Sequence, residues 1–350
     1  MDLISSIPNS SFLNKSGMNW GILGTARIAA KSVIPAIKAS KHNNVLAVAS
    51  RDLTRAAEFV RENEIPKAYG SYEELLNDPN IQAVYLPLPN SEHSGWAMRA
   101  MEAGKHVLVE KPFAVNADEA QLMVSTALEK SVVLMEAFMY RYHARLAEMR
   151  EIVRKGALGK LRIIQSSLSF PLTNPDDIRL NAGLGGGALY DLGCYCVDLQ
   201  RILVGREPRR VQALSYQGNT GVDLQVSATL DFGEQVFGRF DVALNASRQQ
   251  HTRIIGTDGV LDVVDPFGAK ADVSQTYLAK DGEIKKLSYK RENAFEKMIE
   301  HFYNVAASRE APLFPLADSV KNLVVIEALF QSMAAGGEPV NIAARTKAEN

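Results

Sequence analysis

The sequence predicts an α/β protein in two parts: a doubly wound parallel sheet, followed by an α+β domain with a large, mostly antiparallel, open-faced sheet. In the N-terminal part, five short apolar strands alternate with helical patterns, which is typical of a parallel sheet. Beyond about residue 155, consecutive segments alternate apolar and polar residues with few helices between them, which is typical of an antiparallel sheet with one covered face. The 350 residues also exceed what one hydrophobic core usually serves.

The first strand, residues 20–23, runs into a turn of small residues and then into a helical pattern. This is the order of the dinucleotide-binding fingerprint, in which Gly24 makes the tight turn, Ala26 lets the backbone approach a pyrophosphate and Ala29 packs the helix on the strand. Alanine takes the second and third glycine positions of the fingerprint here. A phosphate would lie on the N-terminus of the helix. The residues assigned to this site are Gly24, Thr25, Ala26, Arg27 and Ile28. An ordinary strand-to-helix turn is the alternative.

The second strand, residues 45–49, ends in Ser50-Arg51-Asp52. At this position an NAD enzyme usually carries an acid for the ribose 2′-OH, whereas an NADP enzyme offers Arg and hydroxyl groups to the 2′-phosphate. Asp52 precedes a helical pattern and is the better N-cap, which leaves Ser50, Arg51 and Arg55 for the cofactor. Guanidinium groups make charge-assisted bonds to a phosphate that a hydroxyl cannot match. We therefore expect NADP(H) to be preferred over NAD(H).

The third and fifth strands cover residues 81–88 and 132–140. The fourth strand, residues 106–109, ends in Glu110-Lys111-Pro112. A lysine at the end of a buried strand lies at the carboxyl edge of the sheet, where open α/β folds bind ligands. Lys111 is therefore a candidate active-site residue, although an exposed turn would give the same tripeptide.

Eight strands are predicted in the second part of the chain, with Gly or Asp-Gly turns between several of them. They cover residues 161–170, 211–216, 224–232, 235–243, 252–255, 259–264, 273–279 and 284–289. A helix is predicted over residues 188–204, after three glycines. Its buried stripe would consist of Leu189, Leu192, Cys196, Leu199 and Leu203. Asp191 and Tyr195 lie one turn apart on the neighbouring face. They either face a ligand together or bond each other at the surface.

Five motifs occur in a fixed order along the chain. They are Gly24-Thr25-Ala26-Arg27-Ile28, Pro89-Asn90-Ser91-Glu92-His93, Glu110-Lys111-Pro112, Glu136-Ala137-Phe138-Met139-Tyr140-Arg141-Tyr142-His143 and the segment 185–195. Over residues 18–335 the chain resembles the glucose-fructose oxidoreductase/inositol dehydrogenase (Gfo/Idh/MocA) family. Within it, the last two motifs are most similar to the branch of dimeric dihydrodiol dehydrogenase, NADP-dependent xylose dehydrogenase and sugar ketoreductases. Many relatives have a histidine where this sequence has Tyr195, so Asp–His catalysis is not implied.

The resemblance implies a Rossmann domain over residues 18–140 and a substrate and dimerisation domain over residues 141–340. It implies an oxidoreductase that transfers a hydride between NADP(H) and a sugar, either a pyranose or a keto-sugar, or a cyclic vicinal diol. Lys111 and Tyr195 would be the acid/base pair, with Asp191 beside them. Further residues assigned by the resemblance are Leu86, Pro87, Asn90, His93, Glu110 and Lys111 at the cofactor, and Arg141, Tyr142, Asp191 and Tyr195 at the substrate.

Proton exchange is the chemistry that this pair must perform. Oxidising a secondary alcohol needs a base on the O–H, and reducing a ketone needs the same group as an acid. Free Lys and Tyr both titrate near ~10, and an ammonium beside a phenol favours the phenolate. We therefore expect Tyr195 to exchange the proton and Lys111 to polarise the substrate oxygen; reversed roles stay open.

Other interpretations also stay open. A histidine at the start of a helix, such as His93, is often a packing or capping residue, and residues 141–143 also link the two predicted domains. The chain could be a catalytically silent NADP(H)-binding sensor, or a nucleotide-sugar or biliverdin-type reductase on the same scaffold. The retained Lys111 and Tyr195 favour the enzyme, since a sensor needs no acid–base pair.

Composition excludes several functions. A formal charge of −1 gives no basic field for nucleic acid, and no apolar run is long enough to span a membrane. Cys194 and Cys196 diverge on a helix and no matching Cys/His set follows, so we expect no metal site and a reducing, cytoplasmic location. Residues 1–17 lack the apolar stretch of a secretory signal and are expected to be a disordered leader, and residues 341–350 a frayed tail.

The open face of the second sheet predicts a protein partner. A sheet with one uncovered apolar face needs such a partner, and members of the family commonly pair through this face. We expect a homodimer through the C-terminal sheet, with a small molecule as the substrate.

Overall fold

The computed structural model describes residues 17–268, 275–289 and 292–342. The predicted leader, except for Gly17, and the predicted tail beyond residue 342 lie outside these residues. The chain forms two compact units. The first takes in the chain up to Met139 together with Ala294–Val320, and the second takes in Tyr140–Asn293 and the chain from Lys321. The domain bounds predicted from the sequence, 18–140 and 141–340, remain a proposal.

The secondary structure of the described residues consists of strands β1 to β15 and helices α1 to α9. The strands are β1 Met18–Leu23, β2 Asn43–Ala49, β3 Lys67–Tyr69, β4 Ala83–Leu86, β5 His106–Val109, β6 Leu134–Glu136, β7 Leu161–Ser169, β8 Arg210–Gln217, β9 Asp223–Gly233, β10 Val236–Ala243, β11 Gln249–Gly256, β12 Gly259–Val264, β13 Gln275–Lys280, β14 Glu283–Leu287 and β15 Val340–Asn341. The helices are α1 Ile34–Ala39, α2 Leu53–Glu62, α3 Tyr72–Leu76, α4 His93–Glu102, α5 Ala117–Lys130, α6 Ala144–Arg154, α7 Cys194–Val204, α8 Ala294–Ala306 and α9 Leu316–Ala334. Among these helices, none has the length and apolar character needed to cross a membrane.

The first unit is built on a parallel sheet with the strand order β3-β2-β1-β4-β5-β6. The predicted parallel sheet is confirmed, but the predicted number of five strands is wrong. The missing strand, β3, has only three residues and pairs with β2 alone, so it is too short to show a hydrophobic pattern. The chain runs outward from β1 to β3 and then returns to β4 beside β1, which makes the carboxyl ends of β1 and β4 the expected ligand crevice.

Helix α8 completes the core of the first unit although it lies near the other end of the sequence. The ring of Trp20 on β1 is fully buried and packs against Phe302 of α8, with 4.8 Å between the ring centroids. Its indole Nε1 donates to Asn43 Oδ1 at 2.8 Å, which satisfies the polar end of a buried ring. The division of the sequence at residue 140 did not anticipate this packing.

The second unit contains a nine-stranded sheet with the order β14-β13-β12-β11-β7-β10-β9-β8-β15. All neighbouring strands are antiparallel except β7 and β10, so the predicted mostly antiparallel sheet is confirmed. The two-residue β15 was not predicted, and it pairs Val340 and Asn341 with β8. Along β10, Phe240 and Val242 are buried on one face while Phe237 and Asp241 are exposed on the other, which is the alternation of a sheet covered on one side.

The predicted helix over residues 188–204 forms as a π-helical turn, Leu189–Gly193, that continues into α7. The predicted apolar stripe is buried at all of its positions: Leu189, Leu192, Cys196, Leu199 and Leu203. Helix α7 also carries the fully buried Asp198. Its carboxylate accepts from Arg141 Nε at 2.9 Å, from Arg141 Nη2 and from the Tyr140 hydroxyl. This buried pair fixes the 3₁₀ turn Met139–Tyr142 against α7.

We predict that Asp198→Ala lowers the free energy of unfolding by about 3–5 kcal/mol, because the buried Arg141 would lose its carboxylate partner. Urea denaturation measures the change. The control Asp176→Ala removes an exposed carboxylate and should change stability by less than about 0.5 kcal/mol. Equal stability of the two variants would contradict the assigned role of the ion pair.

Candidate active site

The turn after β1 has the geometry of a phosphate-binding turn. Gly24 has φ +102°, a conformation that favours glycine, and a Cβ at this position would press on Leu88, 3.1 Å from its Cδ2. The Gly24 amide donates to Ala49 O at 2.8 Å. The next backbone amides in the described chain that donate to a backbone carbonyl are those of Ala29 and Ala30, and both donate to Ala26 O. The intervening amides, at the start of a helix, are free to bind an anion.

These residues therefore fit a dinucleotide. Ala26 adds only a methyl group to the turn and is half-buried, whereas Arg27 and Ile28 are exposed at the start of the helix. A π-helical turn, Ala29–Val33, follows and continues into α1. The sequence did not indicate this wider turn.

The tip of β2 carries two exposed cations beside a capped helix. Asp52 is the N-cap of α2, because its side chain accepts from Thr54 N at 2.8 Å and from Arg55 N at 3.3 Å, and this prediction is confirmed. Arg51 and Arg55 are exposed. Ser50 is buried, and its hydroxyl accepts from the Asp52 amide at 3.3 Å.

The loop between β4 and α4 is held by His93. The imidazole is fully buried, with Nδ1 2.8 Å from Pro112 O and Nε2 3.0 Å from Leu88 O. Burial lowers the pKa of His93 to about 4, although the two carbonyl groups act in the opposite direction. Both ring nitrogens therefore face backbone, which favours the packing role for this side chain. Leu86 and Pro87 are buried as well, and Asn90 begins the 3₁₀ turn Asn90–Glu92.

The segment that carries Lys111 is anchored on both sides by carboxylates. Glu110 accepts from the buried Tyr85 hydroxyl and, at 3.3 Å, from the Lys111 amide. Beyond the cis Lys111–Pro112 peptide, Phe113 N donates to Glu136 Oε1 at 2.9 Å. The half-buried Lys111 therefore lies at the carboxyl edge of the sheet, as predicted, on a loop with a fixed backbone.

In the second unit, Asp191 is paired with an arginine that the sequence did not single out. Arg179 Nε donates to Asp191 Oδ2 at 2.8 Å, and Arg179 Nη1 donates to Asp177 Oδ1 at 3.1 Å. The charge of Asp191 is the main cause of the raised pKa of Arg179. The sequence could indicate only that the loop around residues 171–183 lies near the substrate. It could not indicate the ion pair itself, because Arg179 and Asp191 lie on separate elements.

Tyr195 is positioned by aromatic rings. Its half-buried ring lies 5.8 Å from Tyr140 and 5.2 Å from Phe267, centroid to centroid. Arg141 is engaged by Asp198, and Tyr142 is half-buried in the same 3₁₀ turn. Lys111 and Tyr195 belong to different compact units, so their pairing stays a prediction, as do the substrate contacts of Arg141 and Tyr142.

The two cysteines are buried and form no disulfide with each other. Burial raises the pKa of the Cys196 thiol, as is usual for a structural cysteine. Among the described residues, no three or more His, Cys, Asp or Glu side chains are grouped so that they could hold a metal ion.

Both units of the chain are similar to known proteins. Residues 18–138 match the oxidoreductase family with an NAD-binding Rossmann fold, Gfo/Idh/MocA, and residues 146–262 match a C-terminal domain of that family. D-xylose 1-dehydrogenase (NADP(+)) 2 of Haloferax volcanii is 37% identical over 325 residues, which are 91% of this chain and 98% of that protein. Trans-1,2-dihydrobenzene-1,2-diol dehydrogenase of Homo sapiens is 30% identical over 322 residues, which are 86% of this chain and 92% of that protein.

Solved structures of oxidoreductases are also similar to this chain over most of its length. A 3-ketoreductase from Actinomadura kijaniata in complex with NADP and TDP-benzene has a TM-score of 0.86 and 27% identity, and the match covers 90% of this chain and 98% of that one. An aldose-aldose oxidoreductase from Caulobacter crescentus has a TM-score of 0.85 and 25% identity, with 93% and 99% covered. The predicted fold and the family resemblance are confirmed. The chain belongs to the Gfo/Idh/MocA family of oxidoreductases.

Proposed function

We propose that this oxidoreductase transfers a hydride between NADP(H) and a sugar, as a pyranose or a keto-sugar, or a cyclic vicinal diol, with Tyr195 and Lys111 as the acid/base pair. The observation that carries the proposal is the cofactor turn at Gly24, with Arg51 and Arg55 beside it and Asp52 engaged as a helix cap. The names of the relatives, an NADP(+) xylose dehydrogenase and dihydrodiol dehydrogenases, support the substrate classes.

The preference for NADP(H) follows from what the residues at the tip of β2 can bind. The Asp52 carboxylate accepts hydrogen bonds from two amides of α2, so it is a poor ligand for a ribose 2′-OH. Arg51 and Arg55 are exposed, and a 2′-phosphate would accept charge-assisted bonds from both. Gly24, Thr25, Ala26, Arg27 and Ile28 would hold the pyrophosphate through backbone amides.

We predict that Arg51→Gln with Arg55→Gln weakens NADPH binding at least ~10-fold and leaves NADH binding unchanged, since only NADPH loses bonds to the 2′-phosphate. Titration of reduced-nicotinamide fluorescence measures both affinities. Arg61→Gln, a third exposed arginine of the same segment, is the control and should bind both nucleotides normally. An equal loss for the two nucleotides would contradict the 2′-phosphate assignment.

The residues of this chain would divide the chemistry as follows. When bound, the nicotinamide supplies or accepts the hydride. Tyr195 Oη would hold the proton exchanged with the substrate oxygen, and Lys111 Nζ would favour the phenolate and polarise that oxygen. Asp191, held by Arg179 at 2.8 Å, would orient a sugar hydroxyl. The rings of Tyr140 and Phe267 restrict the Tyr195 ring, so its hydroxyl would be preorganised.

The structural neighbours support this pair. The 3-ketoreductase from Actinomadura kijaniata has also been solved with a single tyrosine or a single lysine replaced. Those two residues are separated along the chain by the same number of positions as Lys111 and Tyr195 are here. We infer that the pair corresponds to them.

We predict that Tyr195→Phe lowers kcat by on the order of 10²-fold or more, the usual contribution of general acid–base catalysis, while NADPH affinity stays at the wild-type value. Turnover of aldoses, cyclic diols and their ketones, followed by nicotinamide absorbance, measures the effect. Tyr303→Phe, which removes a hydroxyl from α8, is the control. Near-normal turnover by Tyr195→Phe would rule out its role, and tight NADPH binding by the wild type without turnover of any substrate would favour the sensor.

We also propose a cytoplasmic homodimer that pairs through the open face of the second sheet. Buried cysteines that form no disulfide with each other fit a reducing compartment. On the open face, neighbouring strands align an apolar row across the sheet. The row consists of Phe237, Ile163, Ile255, Val260, Ala279 and Ile284. Phe237 and Ile284 are exposed and the other four residues are half-buried. An apolar row on an open sheet face is typical of a protein interface.

We predict that the protein has the mass of a dimer at micromolar concentration and that Phe237→Asp converts it to a monomer, because the substitution places a charge in the apolar row. Sedimentation equilibrium measures the mass. Leu128→Asp, at a leucine of α5 that is 61% exposed, is the control and should remain dimeric. A monomeric wild-type protein would refute the proposed dimer.

A further inference from the structure

Tyr72, the first residue of α3, is a buried residue of the first unit that the sequence analysis did not assign to the cofactor. Its side chain lies among the core residues, with 7% of the residue exposed. The ring meets Trp96 of α4 edge to face, with 4.8 Å between centroids and 89° between planes. Trp96 is itself tied to Glu92 through an indole hydrogen bond of 3.1 Å. The direction of the Tyr72 hydroxyl is therefore fixed by packing.

The hydroxyl of Tyr72 points to the phosphate turn. A Cβ built on Gly24 would lie 3.7 Å from Tyr72 Oη, and the same point is 3.9 Å from Pro87 O. The hydroxyl thus lies at the carboxyl ends of β1 and β4, where the strand order reverses. In an open α/β sheet this crevice is the ligand site.

This hydroxyl has no hydrogen-bond partner among the residues that the structure describes, although the side chain is more than nine-tenths buried. The hydroxyl is not among the fully buried polar atoms of the described residues that lack a partner, so it reaches the surface of the crevice, where a ligand can approach it. By contrast, the hydroxyl of the nearby Tyr69 donates to Asp78 at 2.7 Å. An unpaired donor that faces an anion-binding turn indicates that the partner is a ligand.

The surroundings favour an anionic ligand. Burial raises the pKa of Tyr72. The charge of Glu92 also raises this pKa, whereas the charges of Arg51 and Arg55 lower it. The phenol therefore stays protonated at neutral pH and can donate its hydrogen to an anionic oxygen. The free amides of the turn and the two guanidinium groups provide positive charge on the neighbouring side.

We propose that Tyr72 Oη donates a hydrogen bond to a phosphate oxygen of the bound dinucleotide. The inference rests on the proposed NADP(H) function and adds to it a residue from α3, outside the fingerprint and the tip of β2. Two phosphates of NADP(H) share this chemistry, the pyrophosphate and the 2′-phosphate. A comparison of NADPH with NADH distinguishes them, because only NADPH carries the second.

The test is a fluorescence titration of wild type and Tyr72→Phe with NADPH and with NADH. Phenylalanine keeps the ring and its contact with Trp96, so the fold should be preserved. We expect the dissociation constant of NADPH to rise about 10- to 100-fold, as for the loss of a hydrogen bond to a charged group. Tyr69→Phe is the matched control: it removes a hydroxyl bonded within the protein and should lower stability without changing NADPH affinity.

The outcomes distinguish a contact with the pyrophosphate from a contact with the 2′-phosphate, and they test this inference separately from the proposed function. An equal loss of NADPH and NADH affinity supports the contact with the pyrophosphate, and a loss confined to NADPH supports the contact with the 2′-phosphate. Unchanged affinities in Tyr72→Phe, or an equal loss in Tyr69→Phe, would overturn the inference while the proposed function stands. A wild-type protein that binds neither nucleotide would instead overturn the proposed function itself.

Discussion

The left-handed backbone of Gly24 is the constraint on which the nucleotide edge of the first unit depends. With φ +102°, the chain leaves β1 in a conformation that residues with a side chain rarely adopt, and a side chain here would press on Leu88 from the loop after β4. The Gly24 amide is bonded to Ala49 at the end of β2. One residue thus sets the distance between the ends of three neighbouring strands, and the tips of β2 and β4 take their positions from it.

The parts of the fold that could be predicted are those whose signal is local and repeated. The alternation along β10 and the stripe of α7 recur every two or every three to four residues, so burial follows directly from the sequence. Strand β3 could not be predicted, since its sequence Lys-Ala-Tyr is not an apolar run and its pairing with β2 is decided by tertiary structure. The packing of Trp20 on Phe302 joins positions far apart in sequence, and no local pattern indicates such a contact.

The candidate site likewise contains some features that the sequence could predict and others that it could not. Asp52 could be assigned as an N-cap because capping depends on neighbours two and three positions away. The pairing of Arg179 with Asp191 and the direction of the Tyr72 hydroxyl depend on how separate elements pack, so they emerge only from coordinates. His93 illustrates the limit of a motif: its place at the start of α4 was clear, but its contacts with two backbone carbonyls were not.

The first unit is assembled from two separated stretches of the chain, and this has a consequence for the order in which the protein can mature. Glu136, which anchors the segment after Lys111 through the Phe113 amide, also accepts from the Ser319 hydroxyl at 2.6 Å. Synthesis proceeds from the N-terminus, so Ser319 leaves the ribosome after the whole of Tyr140–Asn293. The nucleotide-binding unit therefore begins first but is completed only after most of the second unit has been made, and its cofactor edge lacks its full set of supports until then.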